Sequence, residues 1–483
     1  MKPKSTSWTA LATAIFVGGL MANSASAQNS DSLLNILIKK GVLTEQEAKD
    51  IKAEAAQQNQ KDFNQNFAAK TGMPSWIKSY RLYGDFRGRF EENNAENVGY
   101  HTRDRFRFRL RTGLEIAMEK FDVGMRLASG NPQLNQANLL VGGQSITANQ
   151  DLNSLESRKG IWIDAAYARY TPVKNDDWIV SASIGKIDNP FQLSNMVWDY
   201  DINPEGAGLQ ITHALSDQHA IKGIGGIFVL DEFNQSSPTP YIISGTNIVA
   251  SPGIRASHDP YLFGGQALWE AKWTPQIDTS LGVAAFDIVH AQDSLSAKVQ
   301  PFYNAGNTRN ANGFLVHHYD PLIGSASVVY KFPAFPLYEG QFPIRLSGEY
   351  MRNPSAPNDQ NAGYRAGITI GKAGKKHTWE INYRYQRLEA DAWYDALVDD
   401  DNGAFYPGNA ANPAPQLSGT GKNNGWFGGT NVKGHQVIAT YSFTDFLNFT
   451  FVYYRNDAII KSFALADNRS DAGHFYADLN WKF

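Results

Sequence analysis

Residues 103–118 read Arg-Asp-Arg-Phe-Arg-Phe-Arg-Leu-Arg-Thr-Gly-Leu-Glu-Ile-Ala-Met. The even positions hold Phe106, Phe108, Leu110, Thr112, Leu114, Ile116 and Met118, and the odd ones hold Arg103, Arg105, Arg107, Arg109 and Arg111. Successive side chains of a strand point to opposite faces, so this segment has one apolar face and one arginine ladder. A helix would scatter the same arginines around its circumference. Two environments accept such a strand. A soluble sandwich buries the apolar face and leaves the arginines in water. A membrane barrel turns the apolar face to lipid and the arginines to an aqueous lumen. The choice depends on whether other strands repeat the pattern with an aromatic-rich apolar face.

They do. The segment 79–91 puts Tyr80, Leu82, Phe86 and Phe90 on one face and Arg81, Asp85, Arg87 and Arg89 on the other. The segment 121–128 sets Phe121, Val123, Met125 and Leu127 against Arg126. Further strands are expected near 160–171, 178–187, 207–214, 220–231, 261–273, 277–290, 322–332, 342–352, 361–372, 376–389, 433–443, 445–456 and 471–483, about 16 in all, with ends uncertain by about 2–4 residues. Tight links such as Glu119-Lys120, Thr274-Pro275-Gln276 and Thr444-Asp445 alternate with long ones near 129–159, 188–206, 232–260, 291–321 and 390–432. That alternation gathers the long loops at one end of a barrel and the tight turns at the other. A sandwich has no reason to sort its loops in this way. No short repeat of the propeller or solenoid kind is present.

Composition agrees with the barrel. No apolar run after the first 30 residues is long enough for a membrane helix, and mean hydropathy is −0.39. The chain is rich in Gly (42), Phe (27), Tyr (22) and Trp (11), as aromatic girdles require, and it has no Cys, which excludes disulfides and thiolate metal sites. Residues 1–27 read as a signal peptide: Lys2 and Lys4, an apolar core over 11–20, then Ala25-Ser26-Ala27. In 28–58, Leu33, Leu34, Leu37 and Ile38 recur at helical spacing and Thr44-Glu45-Gln46-Glu47 forms a capping box. This is a short helix-turn-helix, read as a periplasmic oligomerisation or cell-wall-contacting module or as a spacer. Residues 59–78 are a polar linker and 79–483 the barrel. At the C-terminus Phe475, Ala477, Leu479, Trp481 and Phe483 alternate with polar residues. A terminal aromatic after such alternation resembles the assembly signal of outer-membrane barrels, carried by Phe475, Leu479, Trp481 and Phe483.

The stretch 184–208 contains Gly185-Lys186, Asn189-Pro190-Phe191 and the run Trp198-Asp199-Tyr200-Asp201-Ile202-Asn203-Pro204-Glu205-Gly206. It resembles the putative-porin family of Gram-negative outer membranes, as do the Leu-Leu…Lys-Lys-Gly-Val-Leu-Thr start and the arginine-rich second strand. The resemblance covers nearly the whole mature chain. It implies an all-β, transmembrane, antiparallel up-and-down barrel and a channel, with no particular solute.

In such a barrel the polar stripe faces the lumen. Arg81, Arg87, Arg89, Arg103, Arg105, Arg107, Arg109, Arg111 and Arg126 then line adjacent strands, because an arginine facing lipid at mid-membrane costs about 2–4 kcal/mol. By analogy with general porins, the third long loop, 188–206, is expected to fold inward and to present Asp188, Asp199, Asp201 and Glu205 to this wall. The result would be a transverse field across a water-filled constriction. The arginines either favour anionic solutes or pair with the loop acids and brace the barrel. Trp269, Trp273, Tyr350, Trp379, Tyr383, Tyr385, Tyr441, Phe451, Tyr453 and Trp481 are read as lipid-facing or interfacial aromatics. Expected partners are membrane lipids and lipopolysaccharide, the outer-membrane assembly machinery and small hydrophilic solutes, with a homotrimer as the family-style assembly. No cofactor, metal or nucleic acid is implied. The competing classes are a barrel-borne enzyme and a plugged structural or adhesive barrel. Against the enzyme, the chain has no Gly-x-Ser-x-Gly elbow and no His-Glu-x-x-His motif, and His317-His318 is a weak metal signal.

Overall fold

The computed structural model describes residues 74, 76–95, 102–134, 140–144, 146–230, 241–244, 247–250, 258–292, 306–308, 315–338, 340–405, 426–460 and 471–483. The expected signal peptide, the helix-turn-helix and nearly all of the linker lie outside the described residues. Among the described residues there is no helix at all.

Sixteen long strands make the fold: β1 Ser79–Ala95, β2 Arg103–Ala117, β3 Phe121–Ser129, β4 Ile161–Lys174, β5 Trp178–Lys186, β6 Glu205–Ser216, β7 His219–Val229, β8 Tyr261–Thr274, β9 Ile277–Val289, β10 Leu322–Phe332, β11 Phe342–Arg352, β12 Ala362–Gly371, β13 Trp379–Leu388, β14 Val432–Ser442, β15 Leu447–Ala458 and β16 Ala472–Lys482. Each pairs with the next in sequence, and β1 pairs with β16, so the sheet closes on itself. The two-residue strand Gln150–Asp151 adds itself to the edge of β2 above β3. Closure leaves no unpaired edge in lipid, where each unsatisfied backbone group would cost several kcal/mol. At the seam the Gly84 and Phe483 backbones exchange hydrogen bonds of 2.9 and 3.0 Å. A side chain at position 84 would collide with the Phe483 ring, so glycine there makes room for the terminal aromatic.

The strands stand where the two-residue alternation placed them, with ends shifted by a few residues. The largest change is β1, which runs four residues beyond its expected end at 91 to Ala95. Tight turns such as Asp217-Gln218 and Pro275-Gln276 share one end of the barrel with the C-terminus, and the long connections share the other. The alternation also sorts the faces. Phe106, Val123, Met125, Ile184, Leu209, Ile227 and Val283 are exposed on the outside, whereas Arg89, Glu91, Arg107, Gln266, Arg365, Asn382 and Asp478 are buried inside. An outer belt of this kind suits acyl chains and the polar interior suits water.

One sector departs from the simple pattern. Toward the long-loop end of β7–β10 much of the inward face is apolar too, with Ile224, Phe228, Leu262, Leu268, Phe286, Ile288 and Ile323 buried. These residues are the floor on which two long connections pack inside the barrel.

Candidate functional site

The first inward connection is 187–204, between β5 and β6. Phe191 meets the edge of Phe286 at 4.8 Å between ring centres, and Trp198 meets Phe228 at 6.0 Å. Met196, Val197 and Trp198 are almost completely buried. The second is the described part of the connection between β13 and β14, residues 389–402. Trp393 is fully buried against Phe286, and its indole Nε1 donates to the Val197 carbonyl at 2.8 Å. The backbone joins the two loops directly: Asp199 N donates to Leu397 O at 2.7 Å, and Asp399 N to Asn195 O at 3.0 Å. Part of the β9–β10 connection is tied to the second loop, with Asn307 Nδ2 donating to the carbonyls of Ala390 and Trp393 and Tyr319 Oη to Asp391. Burial of aromatic and aliphatic area is the force that draws these polar-tipped loops inside.

The opposite wall, β1–β3 with β16, carries the ladder. Every arginine named from the sequence has a carboxylate within 4.0 Å. Arg81 pairs with Glu115 at 2.6 Å, Arg87 with Asp478 at 3.6 Å and Arg89 with Asp478 at 2.7 Å. Arg105 and Arg107 converge on Glu91, while Arg103 and Arg107 reach Asp151 at 4.0 and 2.8 Å. Arg109 and Arg111 share Asp85 at 2.7 and 2.8 Å, and Arg126 lies between Asp164 and Asp188, 2.8 Å from the latter. Arg89 also lies over the Tyr476 ring, 3.6 Å from its centre. Charge-assisted pairs of this sort hold both members in fixed geometry.

The four acids expected to form the constriction do not act together. Asp188 reaches Arg126, and Asp201 lies 3.8 Å from Arg109 and 3.9 Å from Arg111. Glu205 is instead the first residue of β6. Its side chain is 68% exposed and pairs with Lys186 at 3.1 Å, with no arginine within 4.0 Å among the described residues. The positive φ of Gly206 beside it marks the point where the loop ends and the strand begins. Asp199 turns away from the ladder. It joins Asp399 and Asp400 of the second loop, the three offering oxygens within 4.8 Å of one another. Like charges this close cannot all ionise unless a cation lies among them. Burial, then Asp400, pushes Asp199 well above the ordinary carboxylate range, and burial, then Asp401, lifts Asp400 likewise and Asp399 to about 7. Burial would raise Asp201 as well, but Arg109, Arg87, Arg111 and Arg89 outweigh it and hold its carboxyl low.

Sequence reasoning overlooked the second loop. Asp401 from that loop lies 3.9 Å from Arg89, so it meets the ladder as Asp201 does. Its signal was present: the apolar cluster Ala392-Trp393-Tyr394 and Leu397-Val398 within a long connection, flanked by acids, and strands β7–β10 apolar on both parities. Of the C-terminal residues, Phe475 and Trp481 lie on the aromatic face with Phe90 and Phe86, at 6.0 and 5.7 Å between ring centres, and Leu479 is in register with Phe449.

These features define a transmembrane β-barrel whose charged interior is narrowed by loops. Residues 93–314 match the family model described as putative porin. Pseudomonas putida OprB is similar in fold, with 10% identity, 84% of this chain and 94% of that chain covered and a TM-score of 0.46. A mutant of Rh. blastica porin is similar at 10% identity, with 84% and 100% of the chains covered and a TM-score of 0.39. No curated protein matches the sequence.

Proposed function

We propose that the protein is an outer-membrane porin, a water-filled channel through which small hydrophilic solutes diffuse passively, with a preference for anions. A closed barrel with a greasy outside and a charged inside supports this reading above all. The match of residues 93–314 to the putative-porin family model points the same way. In this reading residues 1–27 direct export, 28–58 stay in the periplasm, and Phe475, Leu479, Trp481 and Phe483 address the chain to the assembly machinery. Lipid and lipopolysaccharide surround the belt, and three copies assemble. The two docked loops set the constriction, with Asp201 and Asp401 on its acidic side. The ladder arginines, each already matched to a carboxylate, brace the wall. No enzymatic role is assigned.

Reconstitution into planar bilayers tests the channel. Stepwise conductance in potassium chloride is the expected result. A purified, folded barrel that gives no steps at any voltage would instead be a plugged structural barrel, and the channel would be abandoned.

A further inference from the structure

Arg345 of β11 and Arg384 of β13 differ from every arginine of the ladder. Both point inward: Arg345 shares its face with buried Glu349 and Met351, and Arg384 with buried Asn382 and Gln386. Neither has a carboxylate within 4.0 Å among the described residues. Arg384 Nε donates to Asn382 Oδ1 at 2.6 Å and one terminal nitrogen to Gln436 Oε1 at 3.2 Å, both neutral oxygens. Its other terminal nitrogen is uncommitted, and Arg345 is exposed to the lumen. The inward Lys331 of the adjacent strand β10 is already matched to Asp278 at 2.5 Å.

The register brings the two arginines together. Arg345 is level with Thr369, which is level with Asn382, and Arg384 is level with Gly367. The stem of Arg384 lies over Gly367, its Cγ 3.1 Å from where a Cβ would stand. Two strand spacings and one two-residue step separate the Cα atoms by about 12 Å, a gap that two extended arginine side chains can close. A guanidinium whose fork is filled by a carboxylate has little left for a solute. One held by amides keeps its charge and a free edge, and that edge matches an oxyanion.

We propose that Arg345 and Arg384 form an oxyanion-binding subsite on the lumen wall, taking small carboxylates as they pass, and that these two residues rather than the ladder set the channel's charge preference. This rests on the channel reading above. Reversal potentials across a salt gradient test it, with a heat-modifiability gel confirming that each variant is folded. Replacing both residues by Gln lowers the anion-to-cation permeability ratio by about tenfold per arginine, because a unit charge about 6 Å from an ion's path in water favours the anion and disfavours the cation by about threefold each. Arg109→Gln in the ladder changes the ratio less than either. Arg384→Lys keeps the charge, so the ratio in chloride stays while the preference for acetate over chloride falls. An unchanged ratio in the double variant, or a larger shift from Arg109→Gln, overturns the proposal. If the folded barrel does not conduct, the channel reading fails first. Calorimetric titration of the detergent-solubilised protein with acetate then decides the subsite: binding lost in the double variant supports it, and binding absent from the native protein or kept in the variant ends it.

Discussion

Glu91 is fully buried in the barrel wall, where Arg105 and Arg107 donate to its two oxygens and His474 Nε2 stands 3.4 Å away. Removing one member of such a group leaves the other charges buried without a counter-ion, which costs about 3–5 kcal/mol. Arg81 and Glu115 approach more closely, at 2.6 Å, than Arg107 and Glu91 do at 3.0 Å, yet the Arg81 side chain is 68% exposed, and an exposed pair contributes only about 0.2–1 kcal/mol. Burial, then, and not contact length ranks the ladder pairs. In urea titrations of the folded barrel, Glu91→Ala is expected to lower stability by about 3–5 kcal/mol and Arg81→Ala by less than 1 kcal/mol. Equal effects would mean that the wall is wetter than its packing shows. The parity of Arg103 to Arg111 was plain in the sequence. The partner of Arg89 was not, because Asp478 is hundreds of positions away and becomes its neighbour only when the first and last strands meet.

At the scale of elements, the two docked loops combine an apolar body with an acidic junction, and the two respond differently to pH. Asp199, Asp399 and Asp400 hold protons more tightly when docked than when the loops swing free. The docked state therefore binds more protons across the window between the two pKa values. Docking is strongest below the ordinary value of 3.8 and weakens as pH rises through about 7, where Asp399 ionises. Protease protection of the loops, followed against pH, should show a loss with a midpoint near 7. Asp399→Asn should abolish that midpoint without unfolding the barrel, since the strands keep their own ladder of hydrogen bonds. The same midpoint in the variant would assign the transition to another group. The strands themselves were legible because a period of two leaves its mark along ten residues of local sequence. Loop docking has no such period. The third loop was expected inside only by analogy, and the loop after β13 was missed because its apolar cluster acquires meaning only beside Phe286 and Val197.

For the whole molecule, the outer belt and the lumen impose opposite demands on the same residue type. Val283 is at the middle of β9 and 65% exposed on the outer face, whereas Ser327, on the next strand, faces inward. Val283→Arg is expected to cost about 2–4 kcal/mol of stability in a bilayer, as a charge meeting hydrocarbon near the midplane does. Ser327→Arg should cost far less, because its guanidinium meets polar surroundings. Equilibrium unfolding in lipid vesicles measures both, and a reversed order would place the lipid on the other face.

What the sequence determined alone was the set of strands, their inward and outward faces and the sorting of long and short connections. All of these are properties of alternation over short distances, fixed by backbone geometry. The tertiary structure decided which acids neutralise which arginines, which loops enter the barrel and that Arg345 and Arg384 have no carboxylate within 4.0 Å among the described residues. Those outcomes depend on residues far apart in the chain becoming neighbours as the sheet closes, and no local pattern records where closure will bring them.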